Sequence, residues 1–221
     1  MNELHRLHAD AVLFDLDGTL VATEHRSRAA WTRLFTAHHV PCDDAVLATF
    51  TGRRGHEALA DHLHHFPGHT VDELFDEAVG YLRGSDSPPP FAVPGAVDLL
   101  ADLHAHGVPL AVVTSALRIH ATAMLDHVGG AGLFRVIVTA EDVSAGKPDP
   151  QGYLAACRAL GVHPADGLAF EDAPAGVLAA KGAGLRCVAL TTTYGPSDLA
   201  QADLVVPDLT ALRWTPSAEA N

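Results

Sequence analysis

Cysteine is scarce in this chain of 221 residues. The three present, Cys42, Cys157 and Cys187, are odd in number and lack the spacing of metal ligands. They read as buried thiols in a reducing compartment, which excludes a disulfide framework or a zinc ribbon. Basic residues are also few: 14 Lys plus Arg stand against 27 Asp plus Glu, a formal net charge of −13. A surface of that sign repels phosphate backbones and anionic headgroups, so nucleic-acid binding and a polybasic membrane patch are not expected. No apolar run approaches the ~20 residues of a membrane span. The N-terminal MNELHRLHAD lacks the apolar stretch of a secretory leader. The remaining composition, 48% hydrophobic and 19% charged, is that of a globular protein, expected in the cytoplasm.

Short, continuous apolar runs recur along the chain at 11–14, 110–113, 136–138, 168–170, 187–190 and 204–206. They lack in/out alternation, which is how strands buried on both faces read. Helical patterns lie between most of them, at 95–106, 118–128, 150–160 and 174–182. Strands alternating with helices predict an α/β fold built on a doubly wound parallel sheet. One interval breaks the alternation. Residues 23–91 hold no buried strand pattern and read as helical at roughly 26–39, 55–65 and 71–82, ending in a Ser/Pro-rich linker at 85–90. Such a stretch is too long for a loop, so it is expected to be an all-helical domain inserted into a core of residues 1–22 and 92–221.

Ligands of an open parallel sheet sit at the carboxyl ends of its strands. Here those ends carry Asp15 and Asp17, then Thr114 and Ser115, then Lys147 in a loop after the third run, then Glu171 and Asp172. Crowded carboxylates need a neutralising cation, and oxygen donors without His or Cys select Mg²⁺. In that setting Asp15 can attack phosphorus, and Asp17 can exchange a proton with the leaving group and later with water. Ser115, with Thr114 as its neighbour in register, and Lys147 would hold phosphoryl oxygens.

The motifs DLDGTL (15–20), VVTS (112–115), GKPDP (146–150) and FEDAPAG (170–176) stand in an order and spacing that resembles the haloacid dehalogenase-like superfamily, in its magnesium-dependent phosphatase branch. The resemblance covers essentially the whole chain and implies a Rossmann-like core with an α-helical cap. It implies Asp15 as nucleophile, Asp17 as acid/base with its backbone carbonyl on Mg²⁺, Asp172 as a second metal carboxylate, and Lys147 as partner of phosphate and nucleophile. Glu171 touches the metal in some members and stands behind the ligands in others. Within the superfamily, LAVVTSALR (110–118) and FEDAPAGV (170–177) resemble the sugar-phosphate and glycerol-phosphate phosphatases, with β-phosphoglucomutases as close relatives. Those mutases usually carry a His and an Arg where this chain has Ser27 and Gly55, which favours hydrolysis of small phosphomonoesters over the mutase alternative.

From a different class, a phospho-accepting signalling module also combines acids, a hydroxyl and a lysine, but places its acceptor after a later strand and has no such insertion. Asp-Gly alone is common turn chemistry, and Thr114-Ser115 could simply cap a helix. Arg53 and Arg54 open a helix of the insertion and are candidate contacts to the non-reacting end of a substrate. An insertion hinged near 20–25 and 85–92 is expected to open and close over a small ligand. His62, His64, His65 and His69 lack ligand spacing and read as an exposed polar helix face, whereas Trp31, at helical spacing with Leu34 and Phe35, reads as core. Oligomeric state is not legible.

Overall fold

The apolar runs form six strands of one sheet, numbered here β1 (Ala11–Phe14), β2 (Leu110–Val113), β3 (Val136–Val138), β4 (Gly167–Glu171), β5 (Arg186–Leu190) and β6 (Leu204–Val206). Their spatial order is β3-β2-β1-β4-β5-β6 and every pairing is parallel. The computed structural model describes residues 5–51, 53–84, 86–130 and 132–215. Gly52, which precedes the two arginines in sequence, and Ser85, the first residue of the Ser/Pro-rich stretch, lie outside the described residues. β1 is central, and the order reverses beside it, which opens the crevice where doubly wound sheets bind ligands.

Alternate residues of each strand face opposite sides, and each side has its own core. Val12, Phe14, Val112, Phe170, Val188 and Leu190 point to one, where Phe14 stacks on Phe170 with centroids 4.9 Å apart. Ala11, Leu13, Ala111, Val113, Ala169 and Ala189 point to the other. Because both sides are apolar, the strands show no alternation in sequence. The second side is dominated by alanine, so the helices Gln151–Leu160 and Pro174–Gly182 can pack close to the sheet. A Cβ at Gly152 would lie only 2.9 Å from Val113. Burying one Phe or Leu side chain in such a core contributes roughly 1.5–3 kcal/mol.

Two small pairings were not legible in the sequence. His5–Leu7 runs parallel to Leu212–Trp214, and Val21–Ala22 runs antiparallel to Phe91–Ala92. Segments of two or three residues are too short to carry a hydrophobic period.

The chain divides into two units: Met1–Ala22 with Phe91–Asn221, and Thr23–Pro90. Phe91 goes with the sheet unit because it pairs with Ala22. The other unit contains the helices Glu24–Ala37, Asp44–Ala48, Gly55–His62 and Val71–Arg83, with a 3₁₀ turn at Leu63–His65. Asp43 caps the short second helix by accepting from the Val46 N–H at 2.9 Å, and Thr70 and Glu73 form a reciprocal capping box on the last. Trp31 stacks on Phe50 at 4.4 Å inside a core with Leu34, Phe35, Leu59, Phe66 and Leu74, as its spacing predicts.

Two expectations need correction. His62 is half-buried, stacked on Phe50 with centroids 5.3 Å apart, so it packs against this core rather than lying on an exposed face with His64, His65 and His69. Cys157 and Cys187 are buried, but Cys42 is partly exposed because it lies in the loop between two helices. The linker is also tied down: Arg26 donates to Ser87 Oγ at 3.3 Å, and the His25 ring lies 3.1 Å from the Pro89 carbonyl. No helix among the described residues is long and apolar enough to cross a membrane.

Candidate active site

The register of the sheet brings the first acids together. Phe14 of β1 lies level with Phe170 of β4, so the residues that follow, Asp15 and Glu171, emerge side by side. Beyond Asp15 the chain folds back tightly: the Leu16 carbonyl accepts from the Leu20 N–H at 2.9 Å and the Val21 N–H at 3.0 Å. Gly18 makes this turn possible. Its φ is +91°, and a Cβ there would fall 1.9 Å from Asp172 Oδ2. Thr192 Oγ1 donates to the Gly18 carbonyl at 2.6 Å, and Thr193 Oγ1 donates to Asp172 Oδ2.

Lys147 reaches the same place from the loop after β3. Its Nζ donates to Asp15 Oδ1 at 2.5 Å and to Glu171 Oε1 at 2.6 Å. The loop before it is pinned by Gln151 Oε1, which accepts from the backbone N–H of Ser144 at 3.0 Å and of Ala145 at 2.9 Å. Glu171 also accepts from the Tyr153 hydroxyl at 2.6 Å. A Cβ at Gly176 would sit 2.0 Å from the Glu171 carboxylate, so only glycine lets the following helix start this close.

Asp15, Glu171 and Asp172 are all buried, and each offers a carboxylate oxygen within 4.8 Å of the others. Burial raises Asp15 well above the usual carboxylate range; Lys147 opposes this, while Glu171 and Asp172 add to it. Burial first, and Glu171 next, push Asp172 up to about 8, against its hydrogen bond from Thr193. For Lys147, burial opposes the charge, but Asp15 and Glu171 outweigh it and hold the ammonium charged more firmly than usual. Three buried acids with one ammonium would carry an excess of negative charge if all were ionised, and their all-oxygen donor set fits a hard divalent cation. The cluster is the only such group of three among the described residues.

Asp17 is placed differently. Its side chain is not part of that group; its Oδ1 lies 2.9 Å from the Nε2 of His120. Thr114 is buried at the end of β2, with its hydroxyl accepting from the Ala116 N–H at 3.1 Å, and Ser115 follows it half-buried. Arg53 and Arg54 belong to the helical unit and differ sharply. Arg53 pairs with Asp61 at 2.9 Å. Arg54 lies 3.6 Å from Glu57 through Nη1, while its Nε and Nη2 are buried without a hydrogen-bond partner among the described residues.

Sequence reasoning missed His120, Tyr153, Thr192 and Thr193. The threonines had a legible signal, a hydroxyl run directly after a buried strand, as in Thr114-Ser115. His120 and Tyr153 sit in the first turns of helices, where nothing in the sequence separates them from packing residues.

A family model described as haloacid dehalogenase-like hydrolase matches residues 9–184. The chain is 54% identical over 202 residues to a validoxylamine A 7′-phosphate phosphatase from Streptomyces hygroscopicus subsp. limoneus, covering 91% of this chain and 95% of that protein. It is 33% identical over 205 residues to hexitol phosphatase A from Escherichia coli, covering 92% and 93%. Among solved structures, CbbY from Rhodobacter sphaeroides in complex with xylulose-1,5-bisphosphate superposes with a TM-score of 0.81 at 28% identity, over 93% of this chain and 97% of that one.

Proposed function

The chain belongs to the haloacid dehalogenase-like hydrolase family, and from that membership we propose that it is a Mg²⁺-dependent phosphatase of sugar or polyol phosphates working through a phosphorylated Asp15. That it is an enzyme hydrolysing phosphoric monoesters follows from the family and its phosphatase relatives; the ion, the intermediate and the substrate class are the proposal. The observation that carries it is the buried contact of Lys147 with Asp15 and Glu171, 2.5 and 2.6 Å long, at the carboxyl edge of the sheet.

In this reading an Asp15 carboxylate oxygen attacks phosphorus and the bond from phosphorus to the ester oxygen breaks. Asp17 gives that oxygen a proton, so the leaving group departs as an alcohol. A water then attacks the phosphorus of the acyl phosphate while Asp17 takes back a proton; the bond from phosphorus to the Asp15 oxygen breaks, which regenerates Asp15 and releases inorganic phosphate. Lys147 holds Asp15 in place and faces the phosphoryl oxygens as a charge, with Ser115 or Thr114 as hydroxyl donor. Mg²⁺ held by Asp15, Asp172, the Asp17 carbonyl and, as a ligand or behind them, Glu171 would neutralise charge on the phosphoryl oxygens. A panel of sugar, polyol and nucleotide phosphates assayed for phosphate release with Mg²⁺ tests the substrate class. The expected result is turnover of sugar or polyol phosphates above all others, and a preference for nucleotides would overturn it.

Arg54 is assigned to the non-reacting end of the substrate. The buried Nε and Nη2 of Arg54 lack an acceptor among the described residues, and such a lack costs roughly 1–3 kcal/mol, an imbalance that substrate hydroxyl or phosphate oxygens would relieve. Arg53 is already committed to Asp61. Arg54→Ala is therefore expected to raise KM for the best polyol phosphate about tenfold, with little change for p-nitrophenyl phosphate, which offers no polar distal end. Arg53→Ala should leave both close to wild type. Equal KM changes on the two substrates would remove Arg54 from the substrate site.

A further inference from the structure

Asp17 and His120 approach each other from two separate segments, the turn after β1 and the first turn of the helix Arg118–His127 that follows β2. Oδ1 of one and Nε2 of the other are 2.9 Å apart, and both side chains are about a third exposed, at 33% and 30%. Both backbones are fixed. The turn that carries Asp17 is closed by the Gly18 N–H on the Val21 carbonyl at 2.7 Å. The helix that carries His120 is anchored at its start. The Arg118 N–H donates to Glu141 Oε2 at 2.6 Å, and the Arg118 guanidinium donates to Asp142 Oδ2 at 2.5 Å. Asp142 is itself held by the Thr139 N–H and hydroxyl at 2.7 and 2.8 Å. β1 and β2 are neighbours in the sheet, so the distance between the two segments is set by the scaffold.

We propose that His120 is the positioning residue of Asp17: it fixes one carboxylate oxygen so that the other carries the proton to and from the reacting centre. This rests on the reading of Asp17 as the acid and base. A carboxylate accepts only, so His120 presents a hydrogen on Nε2. The bond survives both halves of the reaction. When Asp17 is ionised, Oδ1 accepts from Nε2–H; when it is protonated, the proton sits on Oδ2 and Oδ1 still accepts. No proton leaves His120. Displacing a reacting group by about 1 Å can cost up to 10²-fold in rate.

The test compares kcat/KM for the best polyol phosphate of the panel with that for p-nitrophenyl phosphate. The nitrophenolate leaves without help from an acid, whereas a sugar alkoxide does not. His120→Ala is expected to lower kcat/KM at least about tenfold on the polyol phosphate and much less on the aryl phosphate. His120→Gln, whose amide N–H reaches to about the same place as Nε2, should recover most of the loss. Equal losses on both substrates, or no recovery with Gln, would mean that His120 supports the fold or binding instead. Unchanged or faster turnover of the polyol phosphate in His120→Ala would mean that the contact is idle or a resting latch. Either result overturns the proposal. Asp17→Asn is measured alongside. If it leaves polyol phosphate turnover intact, the acid–base reading fails; if it abolishes turnover while His120→Ala does not lower it, only the positioning role fails.

Discussion

Asp15→Asn protein is expected to fold, bind substrate and release no phosphate, with turnover reduced by at least about 10⁴-fold. The amide keeps the shape of the carboxylate but has no anion to attack phosphorus. Folding should not suffer. Asp15 is buried beside Glu171 and Asp172, and burial together with those neighbours disfavours its charge. Lys147 keeps its contact with Glu171, so the substitution does not leave an ammonium buried alone. In the metal-free state the thermal midpoint of Asp15→Asn should equal or exceed that of wild type. Retained phosphate release would refute the covalent route; a lowered midpoint would refute the picture of mutual carboxylate repulsion.

Removing divalent cations with EDTA should abolish activity, and Mg²⁺ should restore it. Ca²⁺ should serve poorly, because its larger and more flexible coordination disturbs an in-line displacement. Full activity after exhaustive chelation would sink this prediction. The same site implies a pH effect on stability. Asp172 is raised from 3.8 to about 8 in the folded protein, mainly by burial. Between those values the folded state binds more protons than the unfolded state, so the metal-free protein loses stability as pH rises through the window. A bound cation offsets that loss by taking the place of the proton. The rise in thermal midpoint on adding Mg²⁺ should therefore be larger at pH 8 than at pH 6, and a larger rise at pH 6 would contradict the sign.

Most of the strand framework was legible because its signal is local. Four-residue runs such as Ala11–Phe14 are apolar throughout, since one side packs on bulky side chains and the other on alanines. The acids, hydroxyls and lysine proposed as the site were legible for the same reason, each lying just beyond such a run or in the loop after one. Asp17 shows the limit of that signal. Sequence groups it with Asp15, Glu171 and Asp172, yet its carboxylate is turned to His120, 103 positions away. The arginines show it too. Arg53 and Arg54 look interchangeable in sequence, but one is paired with Asp61 and the other has buried N–H groups without a partner among the described residues.

Composition, the apolar runs and the residues that follow them are properties of short stretches. They alone determined an acidic α/β protein with a cluster of carboxylates and one lysine at its strand ends. Strand order and register were decided only by tertiary pairing, because a run of four apolar residues carries no label for its neighbour. That pairing sets Asp15 beside Glu171, brings Lys147 to Asp15 across 132 positions, and puts His120 against Asp17. Burial, which pushes the pKa values of Asp15 and Asp172 upward, exists only once both sides of the sheet are covered.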